Sequence, residues 1–141
     1  MSVVRRATES ELSAIARIDA LEPFAWSVEQ WRGGLEHRYG EVWVALDPSV
    51  IGAMVLLSLG DSWELQRLVV VQRRRREGVA RRLLGGRLSA SKMPWFLEVS
   101  ENNPAAYRLY VALGFRRVGE RPGYYRNGDT AWTMRWDPRL G

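Results

Sequence analysis

Apolar positions change their spacing several times along the chain, and each change marks an element. Residues 3 to 7 read as a short strand. Thr8, Glu9, Ser10 and Glu11 then form a capping box ahead of Leu12, Ile15, Ala16 and Ile18, which predicts a helix. Pro23 interrupts the pattern, and Ser27, Val28, Glu29 and Gln30 form a second capping box. The helix it opens is expected to run to about Arg38, with Gly40 ending it. Three apolar runs follow, at residues 42 to 46, 50 to 59 and 63 to 71, joined by turns at Asp47-Pro48-Ser49 and Gly60-Asp61-Ser62. They predict an antiparallel meander.

After a charged loop over residues 73 to 77, Val79, Leu83, Leu84 and Leu88 predict a helix that Met93-Pro94 stops. Residues 95 to 99 form a brief apolar strand. Asn103 supplies an N-cap and Pro104 a first-turn proline for a helix to Leu113, which Gly114 caps. Strands over residues 115 to 121 and 131 to 136 complete the order: strand, two helices, three strands, helix, strand, helix, two strands. That order predicts an α+β fold, a sheet layered with helices, and the length of 141 residues suits one domain over residues 1 to 141.

Composition narrows the chemistry. The chain has no cysteine, which excludes a thiolate nucleophile, a disulfide, a Cys-based zinc site and an iron–sulfur cluster. His37 is the only histidine, so a multi-histidine metal centre is excluded, no metal is expected, and His37 reads as a surface residue. No apolar stretch reaches the roughly 20 residues of a membrane span, and residues 1 to 6 lack a signal-peptide core. A cytoplasmic protein with no membrane partner is expected. The net charge of +5 favours a polyanionic ligand, either nucleic acid or a nucleotide carrying several phosphates.

Arg75, Arg76, Glu77, Gly78, Val79 and Ala80 lie between a predicted strand and a predicted helix. Backbone N–H groups and the helix dipole there suit a pyrophosphate, and Gly78 and Ala80 keep bulk away; a merely solvated basic loop is the alternative. Glu98 is the only acid in its apolar strand, where burial would raise its pKa and suit it as a base. Pairing with a nearby Arg is the other reading. Asn103, Ala106 and Tyr110 fall on one helical face, so the phenol could serve as an acid or simply pack.

Three stretches together carry a family resemblance. Arg75 to Ala80 matches a signature of Gln or Arg, two residues, Gly, one residue, then Gly or Ala. Leu97-Glu98-Val99, Asn102-Asn103, Leu109-Tyr110 and Leu113-Gly114-Phe115 match the pattern L-E-V, N, L-Y, L-G-F, and Phe24-Ala25-Trp26-Ser27 resembles an F-P-W-S turn with Ala25 in place of proline. The chain resembles the GNAT superfamily of acetyl-CoA-dependent N-acetyltransferases, in particular its RimI-like branch, which acetylates the N-terminal amine of a ribosomal protein.

The resemblance implies a GNAT-type mixed, mostly antiparallel sheet of about seven strands flanked by about four helices, with acetyl-CoA as co-substrate. It places the CoA diphosphate on residues 75 to 80 and pantetheine contacts on backbone groups of Leu68, Val69 and Val70, with Asn103 and Ala106 on the cofactor side. Glu98 and Tyr110 become base and acid, and Phe24, Trp26, Tyr124 and Tyr125 border the acceptor groove, with Arg121 beside the last two. The implied acceptor is a protein N-terminal amine. A small amine, or a non-catalytic module that binds CoA or nucleic acid, remains open, although stable nucleic-acid binding is not expected. A monomer or homodimer is expected.

Overall fold

The structure, a computed structural model, describes residues 2–138. Strands are β1 (Val3–Arg6), β2 (Gly40–Leu46), β3 (Val50–Ser58), β4 (Trp63–Val70), β5 (Trp95–Ser100), β6 (Arg116–Arg121) and β7 (Ala131–Trp136). Helices are α1 (Leu12–Asp19), α2 (Val28–Glu36), α3 (Val79–Ser89) and α4 (Pro104–Ala112), with single 3₁₀ turns at Glu9–Glu11 and Gln72–Arg74. The seven strands form one sheet in the order β1-β2-β3-β4-β5-β7-β6, antiparallel except for β4 against β5.

Local chemistry places the helix starts where the sequence predicts them. The Ser27 hydroxyl accepts from Gln30 N (3.2 Å) while the Gln30 side chain accepts from Ser27 N (2.9 Å), which satisfies two donors at the start of α2. Asn103 Oδ1 accepts from Ala106 N (3.2 Å) and caps α4. The Thr8 box instead closes the Glu9–Glu11 turn, which leads into α1. Gly40 does not end a helix. Helix α2 stops at Glu36 with His37 extended, and Gly40 begins β2. A Cβ on Gly40 would sit 2.5 Å from the Gly34 carbonyl oxygen, so close chain approach rather than helix capping requires glycine there.

Helices cover both sheet faces. Leu12, Ile15 and Trp31 of α1 and α2 pack on Val42, Val44, Ala53 and Val55, while α3 and α4 bury Leu83, Leu84, Leu88 and Tyr110 against Met54, Leu56, Leu97 and Met134. Each fully buried large apolar side chain contributes about 1.5–3 kcal/mol.

Two irregularities shape the middle of the sheet. Leu56 pairs with Leu65 and Val55 with Arg67, so Gln66 is an extra residue in β4. The bulge reverses the side-chain phase: Leu65 joins the α3/α4 core, whereas Val69, four residues later, packs on the α1/α2 side. The parallel β4–β5 ladder holds only two pairs, Trp63 with Trp95 and Glu64 with Phe96. Beyond them the strands part.

Candidate active site

Where β4 and β5 separate, a groove of about 1130 Å³ opens through the sheet, lined from both faces. Val71 N donates to Ile51 O (2.8 Å), and Ala53 stands opposite Val69. By the alternation of an antiparallel ladder, Val69 therefore turns its backbone to β3, and Leu68 and Val70 turn theirs to the gap. Val69 is also buried. Of the three predicted backbone contributors, Leu68 and Val70 turn their backbone to the gap and Leu68 lines the groove, while Val70 O accepts from Arg75 Nε at 3.2 Å.

The loop after β4 is ordered by its own charges. Arg74 binds Asp47 (2.8 Å) and Glu77 (2.7 Å), which draws the Glu77 carboxylate toward Arg74. The Val79 side chain sinks into the core and anchors the start of α3. Gly78 has φ +81°, and nothing lies within 4 Å of where its Cβ would be. Its carbonyl accepts the first helical bond, from Arg82 N (3.0 Å), so the N–H groups of Val79, Ala80 and Arg81 have no partner within their helix. Open space, free donors and the positive end of a helix dipole fit a diphosphate. Arg76 (φ +69°) is exposed, and Arg75 reaches Glu22 at 2.6 Å.

Glu98 and Tyr110 line the same groove from opposite faces of the sheet. Leu97 and Val99 point into the α3/α4 core, so Glu98 projects to the α1/α2 side; Tyr110 comes from α4 on the other. Arg121 Nε lies 3.5 Å from Glu98 Oε1, so the pairing alternative is realised on one oxygen, while Oε2 is buried without a partner. Burial pushes the Glu98 carboxyl above the usual carboxylate range; Arg121 pulls it down and Glu64 pushes it up. Such a group accepts a proton readily.

Tyr110 is 8% exposed and meets Phe115 edge-on at 5.8 Å. Burial raises its phenol well above the ordinary value, Tyr125 adds to this and Arg67 opposes it. It stays protonated at neutral pH and can donate a hydrogen bond. Asn103 and Ala106 also line the groove, although the Asn103 oxygen is engaged as the helix cap.

The α1–α2 connection and the β6–β7 loop wall the groove on the Glu98 side. Phe24 (φ +55°) stacks on Tyr125 with centroids 6.0 Å apart, and Tyr124 meets Tyr125 edge-on at 5.2 Å. Trp26 lines the groove and packs edge-on against buried Trp31 at 5.6 Å, so it serves wall and core together. His37 is exposed and accepts from Tyr39 N (3.0 Å), away from the groove.

Sequence reasoning missed the groups that hold these walls. Asp19, fully buried, pairs with Arg67 beneath the α1–α2 connection. Asp129 accepts from Asn102 Nδ2 (2.8 Å) and Ser100 Oγ (3.1 Å), tying the β6–β7 loop to the end of β5. One signal was available: Asp19 follows Leu12 and Ile15 on the apolar stripe of α1, where a carboxylate needs a partner.

Among the described residues no helix is long and apolar enough to cross a membrane, and no three His, Cys, Asp or Glu gather as a metal site. The model of the Acetyltransferase (GNAT) domain family matches residues 38–117, which take in β2 to α4 and the loop after β4. An uncharacterised protein of Mycobacterium leprae is 41% identical over 93 residues, 62% of this chain and 26% of that protein. The N-alpha-acetyltransferase RimI of Mycobacterium tuberculosis is 47% identical over 62 residues, 43% of this chain and 39% of that protein. The match thus spans about a quarter and two fifths of these relatives' lengths. The crystal structure of the ribosomal-protein alanine N-acetyltransferase of Escherichia coli superposes with a TM-score of 0.89 at 22% identity, covering 100% of this chain and 97% of that one. Since the family's own pattern covers more than half of the residues, including both strands that part to form the groove, the chain belongs to the GNAT acetyltransferase family.

Proposed function

We propose that the protein transfers an acetyl group from acetyl-CoA to an amine, and that the acceptor is the N-terminal α-amine of a protein. The whole reaction is assigned to one domain, acting in the cytoplasm. The observation that carries the reading is the gap between β4 and β5, with the unpartnered Glu98 Oε2 on one face and the buried Tyr110 phenol on the other. The M. tuberculosis relative, an N-alpha-acetyltransferase by name, supports the choice of acceptor.

Bound acetyl-CoA supplies an acyl group activated as a thioester. The N–H groups of Val79 and Ala80, with open Gly78 before them and Arg75, Arg76 and Glu77 completing the loop, hold the diphosphate. Leu68 offers its backbone groups along the gap and Val70 its N–H, its carbonyl being held by Arg75, and Asn103 and Ala106 line the α4 side. Glu98 takes a proton from the acceptor ammonium, directly or through one water, freeing the nitrogen lone pair to form the new N–C bond. As the C–S bond breaks, the sulfur leaves as a thiolate that accepts the Tyr110 hydrogen bond and takes up the second proton, which the nitrogen sheds as it becomes the amide, directly or through water. The raised pKa of Tyr110 makes it a better hydrogen-bond donor than a full proton source. Phe24, Trp26, Tyr124 and Tyr125 border the acceptor, and unpaired sheet edges offer an extended peptide main-chain hydrogen bonds. Arg74, held by Asp47 and Glu77, is not part of a free basic stripe for nucleic acid.

The deciding experiment compares peptides beginning with Ala, Ser or Met against polyamines, free amino acids and internal-lysine peptides, each with acetyl-CoA. Labelling of a peptide α-amine is expected. Turnover restricted to a small amine overturns the acceptor assignment, and no binding of acetyl-CoA in a thermal-shift assay overturns the donor assignment.

A further inference from the structure

The α1–α2 connection is held at its centre by one buried carboxylate. Asp19, the last residue of α1, is fully buried; its Oδ2 accepts from Trp31 Nε1 (2.9 Å) and from Trp26 N (3.1 Å). Arg67 Nε lies 3.1 Å from each carboxylate oxygen, and its NH2 group also binds Oδ1. The same guanidinium reaches Pro23 O at 3.4 Å. One ion pair therefore ties together the end of α1, both flanks of Phe24, the first turns of α2 and the bulge of β4. Arg67 points to that side only because Gln66 shifts the phase of the strand.

Phe24 sits between the two anchored points, Pro23 and Trp26, with φ +55°, a conformation a bulky residue holds only when its surroundings dictate it. It stacks there on Tyr125 from the opposite wall. A buried ion pair is weak ground for stability, since apolar residues of similar volume can replace such pairs without loss. Geometric specification is the better account of this one, and Arg67 is itself a lining residue of the groove.

We propose that the Asp19–Arg67 pair is a positioning device for the acceptor: it sets the α1–α2 wall, Phe24 and Trp26 included, at the place from which a peptide α-amine reaches Glu98. The proposal rests on the N-terminal acetylation reading above. The wall serves an extended peptide, which must be gripped along its length; its tie to the loop after β4, Glu22 to Arg75, does not involve Arg67.

Arg67→Met removes the guanidinium and keeps the stem. The expected result is a rise of about tenfold in KM for an N-terminal peptide, kcat within about threefold of wild type, and unchanged acetyl-CoA affinity by calorimetry. Arg67→Lys restores part of the KM, because an ammonium cannot bridge both carboxylate oxygens and Pro23 together. Hydrogen exchange at the Trp26 amide, which donates to Asp19, becomes faster in Arg67→Met. Should that variant fail to fold, Arg67→Met with Asp19→Asn leaves no unpaired buried charge and shows the same KM rise. Wild-type KM in a folded variant, or equal losses in kcat and donor affinity, overturns the proposal. If wild-type protein acetylates no peptide, the acceptor assignment has failed; the Trp26 amide still decides the pin, because unchanged protection there overturns it.

Discussion

The two sides of the gap between β4 and β5 are built differently. On the α3/α4 side the loop proposed to hold the donor diphosphate follows directly on β4, so residues 68 to 80 would bring that part of the donor site together from one short stretch of chain, with Asn103, Ala106 and Tyr110 added from α4. On the α1/α2 side the groove is assembled from residues 19 to 26, from Arg67, from Glu98 and from residues 121 to 129, held by Asp19 to Arg67 and by Asp129 to Ser100 and Asn102. On the proposed reading, diphosphate recognition therefore lies in local backbone geometry. The proposed acceptor walls depend on long-range pairs, and one such pair, Glu22 with Arg75, links them to the loop after β4.

Changes confined to one side test that separation. The largest effect is expected from Glu98→Gln, which removes the base and keeps the shape: turnover falls by about 10²–10⁴-fold while acetyl-CoA binding persists. Steady-state kinetics beside a thermal-shift titration measure both, and near-wild-type turnover would move the base elsewhere. Gly78→Glu strikes the donor side, forcing a side chain into the left-handed region and setting a carboxylate where phosphate belongs. The stabilisation by acetyl-CoA, about 2.7 kcal/mol at a hundred times Kd, should vanish. A shift equal to wild type would remove the loop from donor binding.

Tyr110→Phe loses one hydrogen bond at the departing sulfur, with a fall in kcat of about tenfold and a melting temperature close to wild type. A large loss of stability without a kinetic effect would make Tyr110 a packing residue.

The pH profile sharpens the acceptor side further. As the proposed base Glu98 must act ionised, and its carboxyl is raised, so kcat/KM is expected to climb with pH through a limb above the usual carboxylate range. Arg121→Met removes the charge that lowers this carboxyl and moves the limb to higher pH; Glu64→Gln removes the charge that raises it and moves the limb lower. If neither moves it, the limb belongs to another group.

The smallest effect belongs to Glu11, on neither side of the gap. The Arg5 guanidinium, with Thr8 and Ser10, holds its carboxyl down at about 2. Glu11→Gln should cost about 1 kcal/mol near neutral pH, as capping contacts do. Because the folded pKa is depressed, this contribution is complete above the unfolded value of 4.5 and fades as pH falls toward 2. Melting curves of both proteins between pH 7 and 3 would show the gap closing; a constant gap would assign the loss to packing.

The order of elements, the caps of α2 and α4 and the glycine-opened loop before α3 are legible in the sequence. Each depends on contacts within about four residues, so residue type and spacing carry the whole signal. The sequence also singled out Glu98 and Tyr110, an acid and a phenol in apolar settings. The tertiary structure alone decided that they approach the gap from opposite faces, because the side of a strand a residue occupies depends on register. Gln66 and Arg67 interrupt the alternation of β4 in the sequence, but only the pairing with β3 makes the interruption a bulge, which turns Arg67 toward Asp19, 48 residues away. Cross-strand register and buried ion pairs arise only when distant segments pack, and there the wall proposed for the acceptor is decided.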